Sequence, residues 1–198
     1  MKIVLASNNK GKLRELGELL ADHDIELVPQ GELDIPEAVE DGLSFVENAI
    51  LKARHACALS GLPAIADDSG LEVDALRGAP GIHSARYAGT HGDDAANNRK
   101  LLEALREVPD EDRTARFQCV MVFMRHAKDP TPMVCQGSWE GRILHEPRGE
   151  NGFGYDPLFW VPDENATAAE LPAGVKNALS HRGKALRELM RRLTERGL

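Results

Sequence analysis

Two adjacent carboxylates, Asp67 and Asp68, follow the apolar run Ala64-Ile65-Ala66 and precede Ser69-Gly70. A strand that delivers acidic oxygens at its C-terminal end is a common way to hold a hard cation such as Mg2+. Paired acids are also turn formers, because Asp bonds its own nearby backbone. The segment Ser7-Asn8-Asn9-Lys10-Gly11-Lys12 has the opposite polarity. Successive N–H groups in such a turn, with a helix N-terminus behind them, make an anion site, and Lys12 adds charge where phosphates would lie. The same residues also suit a plain helix cap with solvated lysines. The spacing is not that of a Walker A loop.

Three further clusters have chemistry to offer. Glu40-Asp41-Gly42 is an acidic loop that could complete a hard-cation site with the two aspartates, or simply be solvated. Lys52, ten residues beyond Gly42, reads as helix surface unless its helix lines a cleft. Gly152-Phe153-Gly154-Tyr155-Asp156 flanks an aromatic ring with glycines, which lets backbone approach a ligand and leaves the ring able to stack on a base. Its alternative is a structural turn around a buried ring. Lys176 and the run Ser180-His181-Arg182-Gly183 supply N–H donors suited to a carbonyl or phosphate oxygen, or a helix surface.

The elements that must position these groups follow from apolar periodicity. Ile3 to Ala6 reads as a buried strand, and Leu13, Leu16, Leu19 and Leu20 recur at helical spacing after it. Ile25 to Val28 is a second strand, ended by Pro29. Ser44 and Glu47 form a capping box for a helix reaching about Ser60, stopped by Gly61 and Pro63. The strand into Asp67 is expected to turn at Ser69-Gly70 into a separate strand, Leu71 to Val73. Asp93 or Asp94 caps a helix to about Val108. Phe117 to Met124 and Met133 to Trp139 form a hairpin across Pro130-Thr131-Pro132. A short strand spans Leu158 to Val161, and one last helix runs from about Lys176 to Arg196. Strands and helices intermixed around a hairpin predict an α/β fold with a mixed β-sheet.

Composition narrows the function classes. The chain has 198 residues, 42% apolar and 28% charged, as an ordinary globular protein has. A net charge of −8 argues against a general nucleic-acid binder but allows a small phosphorylated ligand held by a local cationic cluster. No apolar stretch approaches the roughly 20 residues that span a bilayer. The N-terminal apolar run is too short for a signal peptide. Cys57, Cys119 and Cys135 lie apart within apolar patterns, which fits buried reduced thiols and a cytoplasmic location.

Taken in order, these segments resemble the inosine triphosphate pyrophosphatase family, and within it the bacterial dITP/XTP branch. The likeness covers almost the full length. It rests on Ser7-x-Asn9-x-x-Lys12, on Glu40-Asp41-Gly42-Leu43-Ser44-Phe45-x-Glu47-Asn48-Ala49-x-x-Lys52-Ala53, and on Ala66-Asp67-Asp68-Ser69-Gly70-Leu71. Ala79-Pro80-Gly81-Ile82-x-Ser84-Ala85-Arg86-Tyr87, Gly152-Phe153-Gly154-Tyr155-Asp156-Pro157 and Ser180-His181-Arg182-Gly183 continue it. Several motifs in one order are far more specific than any single one. The chain departs from many bacterial relatives in having Asn8 where they have Gly; Asn tolerates left-handed backbone better than most residues.

The resemblance implies a single domain over 1–198, an elongated mixed sheet flanked by helices, two lobes with a central substrate cleft, and a homodimer. It implies hydrolysis of noncanonical purine nucleoside triphosphates (ITP, dITP, XTP) to the monophosphate and pyrophosphate, which keeps deaminated purines out of DNA and RNA. Ser7, Asn8, Asn9, Lys10, Gly11 and Lys12 would cradle the triphosphate, and Glu40 with Asp68 would hold Mg2+. Asp68 would be the general base, with Asp67 beside it as electrostatic support or a second ligand contact and Ser69 touching substrate. Phe153, Gly154, Tyr155, Asp156, Lys176, His181 and Arg182 would bind the nucleoside. A 6-oxo base accepts from His181 or Arg182, whereas adenine's amino group would face those donors with another donor. Nucleic acid and membrane are not expected partners. The rival readings are a related pyrophosphatase for modified pyrimidine or broad nucleotide substrates, and a nucleotide-binding module without turnover.

Overall fold

The computed structural model describes residues 1–21 and 23–197. Among the described residues, seven strands form one sheet: β1 (Lys2–Leu5), β2 (Glu26–Pro29), β3 (Ala64–Val73), β4 (Thr114–Met124), β5 (Met133–Ile143), β6 (Phe159–Val161) and β7 (Ala166–Thr167). Their spatial order is β2-β1-β3-β4-β5-β6-β7. β1 runs parallel to both β2 and β3, while β6 is antiparallel to β5 and to β7. The helices are α1 (Lys10–Leu20), α2 (Phe45–Ser60), α3 (Asp94–Ala104), α4 (Ala173–Leu179) and α5 (His181–Glu195). This is the mixed-sheet α/β fold expected from the pattern.

The chain divides into two compact units. The first comprises Met1–Asp68, Cys119–Gly137 and Arg182–Leu198; the second comprises Ser69–Gln118 and Ser138–His181.

In the first unit, both sheet faces are covered, and strand alternation decides which side chain meets which cover. Ile3, Leu5, Ile65, Cys119, Met121 and Phe123 pack with Leu16 and Leu20 of α1 and Leu186, Leu189 and Leu193 of α5. The intervening residues Val4, Ala6, Ala64, Ala66, Val120, Val122 and Met124 pack with Ala49, Ala53, Ala56 and Cys57 of α2. Small residues on α2 let that helix lie close to the sheet. It begins with the expected cap: Ser44 Oγ accepts the Glu47 N–H at 3.3 Å and donates to Glu47 Oε2 at 2.6 Å. It ends at Gly61, whose φ of 70° is the left-handed terminator that glycine supplies cheaply.

In the second unit, Leu71, Val73, Leu101, Leu105, Phe117, Trp139, Leu158 and Phe159 form one core. Arg113, only 2% exposed, ties its margins together. Its guanidinium donates to the carbonyls of Leu105, Ile143 and Leu144 at 2.7–2.9 Å.

Two expectations need correction. Ser69-Gly70 does not turn the chain, since β3 is one strand of ten residues running through both. Ser-Gly is turn chemistry locally, but sheet pairing and the burial of Gly70 and Leu71 override it. The last helix is not continuous either. Ser180 adopts extended φ/ψ (−67°, 157°), separating α4 from α5. Serine's preference for the residue before a helix, rather than inside one, accounts for the break.

Candidate active site

The continuity of β3 gives the two aspartates different surroundings. Successive residues of a strand face opposite sides of its sheet. Asp67 therefore points with Ile65 toward α1 and α5, and Asp68 points with Ala66 toward α2. Asp67 is 1% exposed and Asp68 6%.

Around Asp67 the charges are matched. Lys12 Nζ lies 3.1 Å from Oδ1, an ion contact without hydrogen-bond geometry, and 3.5 Å from the Asp67 carbonyl. Arg182 Nε and Nη2 each donate to Oδ2 at 3.3 Å, and Nη1 pairs with Glu15 of α1. Burial alone would push the Asp67 carboxyl up, but Lys12, Arg182 and Lys52 outweigh it and hold it well below the usual carboxylate range. The Cys119 thiol, beneath this cluster, is driven up by burial and by Asp67, so it stays protonated.

Around Asp68 the balance is reversed. Lys52 Nζ donates to Asp68 Oδ1 at 2.9 Å and lies 3.2 Å from Glu40 Oε2. Burial raises the Asp68 carboxyl above its ordinary value despite the opposing Lys52 and Lys12 charges, and Glu40 adds to the rise. Lys52 is pulled down by burial, yet Asp68, Asp67 and Glu40 together leave it raised, so it stays protonated. Asp68 Oδ2 is buried and has no hydrogen-bond partner among the described residues. A carboxylate oxygen left in that condition is costly unless something else completes it.

The donor set bears on what completes it. No group of three or more His, Cys, Asp or Glu with metal-holding geometry occurs among the described residues. A hard cation of the Mg2+ type needs no such group, because it keeps several waters and takes one or two protein carboxylates. Glu40 and the unbonded oxygen of Asp68 fit that requirement. Glu40 is carried on a loop fixed to α2: the Gly42 N–H donates to Asn48 Oδ1 at 2.9 Å. A Cβ at Gly42 would come within 2.7 Å of that same oxygen.

The loop from Ser7 to Lys12 is built as an N-terminal turn. Ser7 Oγ accepts the Asn9 N–H at 3.2 Å, and Asn9 Oδ1 caps α1 through the Lys12 N–H at 3.1 Å. Asn8 is exposed, lies outside left-handed backbone and reaches Glu37 Oε1 at 3.4 Å. Lys10 and Gly11 occupy the first helical turn, where backbone N–H groups have no intrahelical acceptor.

In the second unit, Asp156 organises the glycine turn. Its Oδ2 accepts the Phe153 N–H at 2.9 Å and the Lys176 ammonium at 2.6 Å, and both ion-pair side chains are buried. Lys176 Nζ also lies 5.1 Å from the Phe153 ring centre. Gly152 has φ 74°, and a Cβ there would sit 2.0 Å from Asp156 Oδ2. Tyr155 faces inward, its hydroxyl donating to the Ser84 carbonyl at 2.7 Å. His181 stacks on Phe117 at 4.8 Å, nearly parallel, with Trp139 beyond. Ser69 is half-buried, directly after Asp68 on β3.

Of the residues expected from sequence, Lys12, Glu40, Asp67 and Asp68 come together in the first unit, and Phe153, Asp156 and Lys176 in the second. Arg182 is held by two carboxylates and buried, rather than displayed on a helix surface. Lys52, helix surface by spacing unless its helix lines a cleft, stands between Glu40 and Asp68. Its recoverable signal is position, four residues before Ala56 and four after Asn48, on the face α2 buries. Glu15 gave no signal, since a lone Glu in a helix normally faces solvent.

Comparison with known proteins finds likeness over nearly the whole chain. Residues 3–192 match the Ham1 family. A dITP/XTP pyrophosphatase of Vibrio cholerae is 61% identical over 194 residues, 98% of this chain and 97% of that protein. One from Thioalkalivibrio sulfidiphilus is 63% identical, covering 99% of this chain and 100% of its own length. The structure of a HAM1 protein from Coxiella burnetii superposes with a TM-score of 0.90 at 55% identity, over 98% of this chain and 99% of that one. The family match over residues 3–192 and this full-length likeness make the chain a member of the Ham1 family.

Proposed function

We propose that this protein hydrolyses the deaminated purine nucleoside triphosphates dITP, ITP and XTP to the nucleoside monophosphate and pyrophosphate. The observation that carries the reading is Asp68, a buried carboxylate with a raised pKa and one unbonded oxygen, beside Lys52 and Glu40. The names of the full-length relatives supply the substrate class.

Asp68 acts as general base, orienting a water and taking its proton. Its raised pKa makes it a better base than an ordinary carboxylate of pKa about 3.9. Glu40 and Asp68 would hold Mg2+, which would supply Lewis acidity to offset the charge developing on the leaving pyrophosphate. Lys12, Lys10 and the N–H groups of Asn8, Lys10 and Gly11 bind the triphosphate oxygens, in a turn shaped by Ser7 and Asn9 and aided by the positive end of α1. Asp67 keeps Lys12 and Arg182 in place, and Ser69 contacts substrate. Phe153 stacks on the base, and the turn through Gly154, Tyr155 and Asp156 shapes its pocket together with Lys176. His181 and Arg182 read the 6-oxo group, the donors that adenine's amino group cannot satisfy.

The whole chain, 1–198, acts as one catalytic domain, as a homodimer, in the cytoplasm. Three buried thiols without disulfides suit a reducing compartment, and no helix among the described residues is long and apolar enough to cross a membrane. Product analysis tests the reaction type. Incubation with ITP and Mg2+ yields IMP and pyrophosphate on this reading; IDP and orthophosphate would contradict it.

A further inference from the structure

The glycine turn is anchored from outside as well as from within. The Phe153 N–H goes to Asp156, inside the turn. The next N–H, that of Gly154, goes to Asp94 Oδ2 on the first turn of α3, at 2.8 Å. The two peptide planes flanking Phe153 are thus each held by a carboxylate, which fixes both backbone dihedrals of that residue. Gly154 is held on its other side too, since Asn98 Nδ2 donates to its carbonyl at 2.9 Å. Asn98 Nδ2 also donates to the Asp94 carbonyl at 2.8 Å, one helical turn back.

The Asn98 amide has one workable orientation. Its Oδ1 is buried and accepts no hydrogen bond among the described residues, while Nδ2 serves two carbonyls. Flipping the amide would set an oxygen against both carbonyls, which is repulsive. Asp94 and Asn98 lie four residues apart on α3, so they present a donor and an acceptor from the same helical face. Together they match both polar groups of one residue, Gly154, whose φ of 62° is the backbone state that sends the chain back toward Asp156.

We propose that Asp94 and Asn98 are positioning residues for nucleoside recognition, holding Gly154 so that the Phe153 ring keeps one direction beside Lys176. This rests on the reading of the 152–156 turn as the nucleoside-binding element. Neither residue touches substrate; each acts through the backbone of the turn. The gain is preorganisation, because an aromatic ring already fixed loses less freedom when a base stacks on it.

The test compares steady-state kinetics on ITP for Asp94→Ala, Asn98→Ala, Asp94→Asn, Phe153→Ala and the double variant Asp94→Ala/Phe153→Ala. Inhibition by inorganic tripolyphosphate, which has no nucleoside, reports the phosphate end separately. Asp94→Ala and Asn98→Ala should each raise KM for ITP about three- to tenfold, the range of one net hydrogen bond, with kcat within about twofold. Their tripolyphosphate inhibition constants should match the parent's. Asp94→Asn keeps an acceptor and should stay near the parent. In the Phe153→Ala background, Asp94→Ala should add little. Unchanged KM in both alanine variants would overturn the proposal. So would a parallel rise in the tripolyphosphate constant, or an undiminished Asp94→Ala effect without the Phe153 ring. An unchanged KM for Phe153→Ala itself would contradict the nucleoside-binding reading, and this proposal with it.

Discussion

The two aspartates share a type, a neighbourhood and a strand, yet their carboxyl groups move in opposite directions. Asp67 meets Lys12 and Arg182 and is held low; burial raises Asp68, with Glu40 adding to the rise, against the charges of Lys52 and Lys12. A base must be ionised to act, so kcat/KM for ITP should rise with pH through the Asp68 pKa. Burial raises that pKa in the metal-free site, and Mg2+ on the same carboxylate would draw it back down. Replacing Lys52 with Met removes the nearest cation, which favours the protonated acid, so this acid limb should move to higher pH. A pH–rate series on parent and Lys52→Met measures both, and a limb that stays put or moves down would remove Lys52 from the tuning of Asp68. The pairing of Asp67 and Asp68 at the end of an apolar strand was legible in sequence. Their division between two faces was not, because Ser69-Gly70 reads as a turn and hides the alternation that a continuous strand imposes.

Elements position these groups through a few backbone contacts, and glycines mark where the fit is closest. Gly42 lets its loop lie on the Asn48 amide and so aims Glu40 at Lys52. Gly42→Ala would push a methyl group against Asn48 and Glu47, so the Mg2+ concentration for half-maximal rate should rise while KM for ITP at saturating Mg2+ changes little. Titrating Mg2+ against the rate checks this, and an unchanged requirement would detach the loop from metal binding. Gly152→Ala is more severe, since a Cβ would overlap Asp156 Oδ2 at a left-handed φ. It should lower the thermal midpoint and raise KM together by disturbing the buried Asp156–Lys176 pair. Breaking such a pair costs on the order of 3 kcal/mol. Thermal unfolding alongside ITP kinetics reads both, and a parent-like midpoint would show that the turn tolerates the methyl group. Capping signals made α1 and α2 legible. The α4–α5 break was missed because Leu179, Leu186, Leu189 and Leu193 keep apolar spacing across Ser180, and periodicity alone cannot register one extended residue.

Across the whole molecule, the fold class followed from strand and helix patterns, and the order of motifs carried the family. What the sequence withheld are partnerships over long separations, such as Glu15 with Arg182 and Lys52 with Asp68, which exist only once the sheet is assembled. These also tie stability to pH. Asp67 has a folded pKa below its unfolded value of about 3.9, so its contribution is fully present above that value and is lost as pH falls through the folded one. Asp67→Asn should therefore lower the urea midpoint at pH 7, and the gap from the parent should close as pH drops below about 4. Urea unfolding across that range decides it; a gap independent of pH would mean that the Asp67 charge contributes nothing. The central claim is base-selective pyrophosphohydrolysis run by Asp68. Its most direct test is pyrophosphate release from ITP, XTP, GTP and ATP, with and without Mg2+, by the parent and by Asp68→Asn. The account predicts Mg2+-dependent release from ITP and XTP, far less from ATP, whose 6-amino group meets the same donors, and loss of turnover in a folded Asp68→Asn protein. Equal release from all four substrates, or near-parental turnover by Asp68→Asn, would contradict it.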